Sequence, residues 1–256
     1  MGHSVSSDMT NLVVEATPDA LAVRVAKDLI EAVRKAADEN RRFCLALSGG
    51  TTPKLLYQHL GSPAFCNKMP WANLELFWGD ERCVPPTESD SNFRMVSEAM
   101  LSHVPLSLAQ IHRVRGEDLP EHESARYEQE IRSFVPSVNG GLPRFDWMLL
   151  GMGDDGHTAS LFPEQKLKAQ NELCGVATHP TSGATRVSLT MKLINASAHV
   201  AFVVTGASKA KLVHTIVDQQ RGREPYPAAD VEPTNGTVTW YLDTAAGGAL
   251  LNKPTD

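Results

Sequence analysis

A chain of 256 residues, 42% hydrophobic and 21% charged, has an ordinary globular composition with enough apolar material for one large α/β domain or two small ones. Its net charge of −6 and the lack of any Lys/Arg run argue against a nucleic-acid surface. No apolar run reaches membrane-spanning length and the polar start MGHSVSSDMT does not read as a signal peptide, so the cytoplasm is the expected compartment. Cys44, Cys66, Cys83 and Cys174 stand far apart with no CxxC spacing, and are expected to be reduced thiols.

The first element in chain order is a short strand, NLVVEA at 11–16, followed by a helix from Pro18 to about Glu39. In that helix Leu21, Val25, Leu29 and Val33 recur every four residues and form one apolar stripe. FCLAL at 43–47 is apolar throughout, as a strand covered on both faces would be. SGGTTP follows, and Pro53 opens a helix to Leu60. A third strand, 74–78, ends in GDER. Helices are expected at 92–103 and 123–135, and then a strand at 145–150. Further strands are expected at 173–178, 186–189 and 200–205, then a helix over 207–219 and a Pro-rich loop. The strand TVTWYLD, 237–243, and a closing helix TAAGGALL complete the chain. Alternating strands and helices predict an α/β fold: a Rossmann-like, mostly parallel sheet with helices on both faces. With no repeat, linker or shift in composition, a single domain is expected.

Ligands of such folds bind at the carboxyl ends of the strands. Four of those ends carry chemistry. Ser48, Gly49, Gly50 and Thr51 combine hydroxyls and flexible glycines at a helix start, which suits a phosphate or carboxylate, although a plain capped turn reads the same way. Asp80, Glu81 and Arg82 form either an anion or proton site or a solvated turn. Lys209 in the first turn of a helix opposes the helix dipole, which points to an anion beside it, against the plainer reading of an exposed lysine. Around it, GASKA lacks the last glycine of a nucleophile elbow.

The fourth and richest end is GMGDDGHTASLFP, 151–163. Gly151, Gly153 and Gly156 spell G-x-G-x-x-G, but this match falls past mid-chain with Pro163 close behind, which argues against a dinucleotide site. Asp154, Asp155 and His157 have no second histidine at ligand spacing, so the metal reading is weak. His157 is the natural residue here for proton transfer near neutral pH.

Taken in order, SGGTTP, GDER with SDSNFR behind it, GMGxDGHTASLFP, TRVSLT and GxxK resemble the 6-phosphogluconolactonase family from about residue 11 to the end. The related glucosamine-6-phosphate isomerases resemble the DGH turn but carry a glutamate where this chain has Phe162, and a tyrosine where it has Arg82. The resemblance implies hydrolysis of a sugar phosphate lactone with no cofactor and no metal. It implies that His157 is the general base. Arg82 and glycine amides would then meet the oxyanion, and Asp155 or Asp80 would assist the histidine. For the phosphate it implies Gly49, Gly50 and Thr51 beside Ser48, with Lys209 and Arg186. A monomer that binds neither nucleic acid nor membrane is expected. A non-catalytic sugar phosphate sensor is the other class of reading, but such domains come fused to a DNA-binding module.

Overall fold

The computed structural model describes residues 10–138, 140–163, 172–218 and 226–251. The first nine residues, Gln219 at the end of an expected helix and the segment 220–225 of the Pro-rich loop lie outside the described residues. The first half of the chain holds β1 (Thr10–Glu15), α1 (Pro18–Asp38), β2 (Phe43–Leu47), α2 (Thr51–Gly61), α3 (Pro63–Cys66), β3 (Leu74–Trp78), β4 (Asp80–Arg82), α4 (Asn92–Ala99) and β5 (Ile111–His112). There follow α5 (Pro120–Phe134), β6 (Trp147–Leu150), β7 (Cys174–Thr178), β8 (Thr185–Leu189), α6 (Met191–Ile194), β9 (His199–Val204), α7 (Ala210–Asp218), β10 (Thr237–Asp243) and α8 (Thr244–Leu251).

Seven strands form one parallel sheet in the order β1-β10-β9-β6-β2-β3-β5. From β2 the chain steps outward to β3 and β5. It then returns to β6 on the other side of β2 and steps the opposite way through β9 and β10. Right-handed crossovers taken in opposite directions put the connecting helices on opposite faces, which is why β2, β3 and β6 are buried along their whole length. In α1 the predicted stripe of Leu21, Val25, Leu29 and Val33 is fully buried, and Thr17 caps its first turn by accepting from Ala20 N at 3.1 Å. No described helix is long and apolar enough to cross a membrane, and all four cysteines are free thiols.

A second sheet was not expected from the sequence. GDER does not end at β3: the chain leaves the large sheet at Gly79, and Asp80–Arg82 become β4 of a three-stranded antiparallel sheet, β4-β8-β7. Gly79 joins the two sheets, donating to Leu47 O at 2.8 Å and accepting from Leu189 N at 2.9 Å. Three charged residues carry no period-2 signal, and β5, with two residues, carries none either. The helix expected to run to His103 stops at Ala99 and tightens into a 3-10 turn, Leu101–His103. α5 starts at Pro120 rather than Glu123, with Pro at its first position and Glu121 and Glu123 in its first turn.

Burial of charge in the large sheet is compensated by pairing. Glu75, inside β3, is held by Arg42 and by His112 Nε2 at 2.9 Å, and His112 Nδ1 meets Glu130 at 2.7 Å. His199 is a different case. Its ring packs on Trp147 at 4.5 Å and its Nδ1 meets Thr237 Oγ1 at 2.6 Å, but Nε2 is buried with no partner among the described residues. Burial lowers its pKa from 6.5 to about 4. Above pH 6.5 the ring is neutral folded or unfolded. Below it only the unfolded chain takes the proton, so stability falls as pH drops from 6.5 to about 4, by roughly 3 kcal/mol at most. Denaturant midpoints for His199→Phe should therefore lose less between pH 7 and pH 4.5 than those of the native chain. Parallel losses would remove His199 as the source of the acid sensitivity.

Candidate active site

The strand order reverses direction between β2 and β6, so the loops leaving their carboxyl ends diverge and open a crevice. A cavity of about 290 Å³ occupies it. Ser48, Gly49, Gly50 and Thr51 line one side, Asp80, Arg82 and Arg186 come from the small sheet, and His157 and Lys209 come from the turns after β6 and β9. Asp155 is set back from the wall, behind His157, and Glu81 and Asp154 also stand outside the lining.

The G-x-G-x-x-G stretch opens no helix; 151–163 is a succession of turns. Gly153 N donates to His157 O at 2.9 Å, closing the loop that presents the histidine. Asp155 Oδ1 accepts from the His157 backbone N at 3.2 Å and lies 2.6 Å from ring Nδ1. Burial alone would raise the Asp155 carboxyl, but these hydrogen bonds hold it below its ordinary value. A carboxylate facing Nδ1 selects the tautomer with the proton there, leaving the lone pair on Nε2. A Cβ on Gly153 would overlap both Nδ1 and the Asp155 carboxylate, so the pair needs glycine at that position. Phe162 backs the ring at 4.9 Å. His179, from the β7–β8 hairpin, packs edge-on against Phe162 at 5.1 Å, and burial and the charge of Arg186 lower its pKa.

Register in the small sheet sets Arg82 directly opposite Arg186. Like charges so placed repel. One carboxylate offsets them in part: Asp80 Oδ2 lies 3.7 Å from Arg186 Nη1 and accepts from Ser160 Oγ at 2.6 Å. Arg82 Nη1 donates to Asp90 O at 2.6 Å. The Nε atoms of both arginines are buried and have no partner among the described residues. Burial pushes the Arg186 pKa below its ordinary value. Two guanidinium groups with unspent donors in one cleft suit an anionic ligand chemically. Asp80 therefore belongs to Arg186 and Ser160, whereas Asp155 holds His157.

Gly50 caps α2 with φ 106° and no side-chain hydrogen bond, which leaves the first amides of an 11-residue helix open to the cleft. Gly49 must be glycine because a Cβ there would overlap the Asn92 side chain. On the far side Lys209 closes a 3-10 turn ahead of α7, and its Nζ lies 2.6 Å from Asp154 Oδ1.

Asn92 was not singled out from the sequence, and Glu81 was named there only with Asp80 and Arg82, as part of an anion or proton site or a solvated turn. Asn92 lines the cavity and donates from Nδ2 to Asp80 O at 2.9 Å. Glu81 is buried and accepts from the backbone N of Arg82, Asn92 and Phe93 at 2.7–2.8 Å, so it holds the start of α4 against β4. Burial raises its pKa against the pull of those three amides. A helix from residue 92 was expected; that Glu81, eleven residues earlier, would accept from its first amides was not.

A sequence profile described as glucosamine-6-phosphate isomerases/6-phosphogluconolactonase matches residues 16–240. The 6-phosphogluconolactonase of Haemophilus influenzae is 42% identical over 207 residues, which span 81% of this chain and 87% of that protein. The 6-phosphogluconolactonase of a Nostoc species is 39% identical over 241 residues, 93% of this chain and 98% of the other. Among solved structures, 6-phosphogluconolactonase from Trypanosoma brucei superposes with a TM-score of 0.82 at 26% identity, covering 95% of this chain and all of that one. Sequence and fold thus match over most of the chain, and the chain belongs to the glucosamine-6-phosphate isomerase/6-phosphogluconolactonase family.

Proposed function

We propose that this chain hydrolyses 6-phospho-D-glucono-1,5-lactone to 6-phosphogluconate by means of a water activated by His157. The observation that carries the reading is the pairing of His157 Nδ1 with Asp155 at 2.6 Å, which turns a basic Nε2 into a cleft rich in unspent cationic donors. Nε2 takes a proton from water as the oxygen adds to the lactone carbonyl carbon. Arg82 meets the oxyanion that develops. When the intermediate collapses, the bond from the carbonyl carbon to the ring oxygen breaks and that oxygen takes the proton back from Nε2. Gly49, Gly50 and Thr51 at the start of α2, with Ser48, Arg186 and Lys209, hold the phosphate; Asp80 orients Arg186.

Hydrolysis of freshly generated lactone, corrected for spontaneous opening, tests the proposal. A rate well above background that survives dialysis against EDTA is expected; a rate equal to background overturns the lactonase reading. Phe162 stands against His157 where the isomerases carry a carboxylate, so glucosamine-6-phosphate should yield no fructose-6-phosphate.

A further inference from the structure

The acidic groups of the cleft are not equally committed. Asp155 is bound to His157, and Asp80 to Ser160 and Arg186. Asp154 meets only Lys209, at 2.6 Å, among the described residues. The two side chains are also exposed very differently, 18% for Lys209 and 80% for Asp154. Lys209 lines the cavity, and the carboxylate that neutralises it reaches in from outside the wall. Their meeting is a product of topology. Asp154 lies in the turn after β6 and Lys209 in the turn after β9, and β6 and β9 are paired parallel neighbours, so the two turns leave the sheet side by side.

We infer that Asp154 is a latch on the phosphate subsite: its carboxylate occupies the Lys209 ammonium in the empty enzyme and is exchanged for the substrate phosphate on binding. This inference rests on the assignment of Lys209 to the phosphate. An ion pair with one partner so exposed is weak and readily broken. A phosphate dianion meets the same ammonium together with the open amides of α2 and the Arg186 guanidinium, so it wins the exchange. An anion with fewer charges, or one that cannot reach those amides, does not. Asp154 thereby makes the ammonium selective, at the cost of some affinity for the substrate itself.

The test is a double-mutant cycle read in KM, kcat and competitive inhibition by inorganic phosphate. Asp154→Asn removes the competing charge from an exposed side chain and leaves the catalytic groups untouched. It should lower KM for the phosphorylated lactone and the inhibition constant of inorganic phosphate about two- to fivefold, the weight of an exposed pair, with kcat unchanged. In a Lys209→Ala background the same substitution should change neither constant. If Lys209→Ala raises KM but Asp154→Asn leaves it unchanged or raises it, the latch is wrong and the phosphate subsite stands. If Lys209→Ala itself leaves both constants unchanged, the subsite is wrong and the latch falls with it.

Discussion

Replacing His157 by Asn should lower kcat for lactone hydrolysis about 10²–10⁴-fold, the usual contribution of a positioned general base, with the fold preserved. His157 is held through its ring Nδ1 and its backbone, and its side chain is partly exposed, so a smaller polar side chain leaves no buried cavity. The native enzyme should lose activity on acidification, because only the neutral imidazole can take a proton. The Asp155 carboxyl is held below its ordinary value and stays ionised throughout the range where imidazoles titrate. Asp155→Asn should also lower kcat, since an amide no longer enforces the tautomer. Near-native activity in a folded His157→Asn variant would make His157 a structural residue of a Gly-rich turn and move the search for the base to the carboxylates.

The second large effect is expected in binding. Lys209→Ala should raise KM for the phosphorylated lactone roughly ten- to a hundredfold, since a charge-assisted contact is worth about 1.5–3 kcal/mol. kcat should change little if the contact is equal in ground and transition states. Steady-state kinetics on the phosphorylated lactone separates the two constants. An unchanged KM would leave the cleft to Arg82, Arg186 and the α2 amides, and would make Lys209 the ordinary lysine that its position in the sequence also permits.

Much of this was legible in advance because local signals sit where the chain leaves the sheet. FCLAL and the stripe of Leu21, Val25, Leu29 and Val33 are unbroken or periodic enough to specify a buried strand and an amphipathic helix without reference to anything else. SGGTT, GDDGH and GASK combine glycine with hydroxyl, imidazole or ammonium groups directly after such strands, so parallel α/β topology brings them to one end of the sheet. Boundaries were less legible: α4 gives way to a 3-10 turn, and α5 starts a turn earlier than its apolar pattern.

What the sequence by itself determined was therefore the type of fold, the end of the sheet that carries the chemistry, and the side chains that stand there. Partnership was decided by tertiary structure alone. Asp80 and Asp155 are equivalent candidates beside His157 until β4 turns Asp80 towards Ser160 and Arg186 and the loop hydrogen bond from Gly153 N brings Asp155 against the imidazole. Arg82 and Arg186 face each other only because two short strands of a second sheet pair in one register. Asp154 reaches Lys209 only because β6 and β9 are neighbours. Such pairings join segments far apart in the chain, and their register is set by strand packing rather than by the residues that meet, so no local pattern in the sequence encodes them.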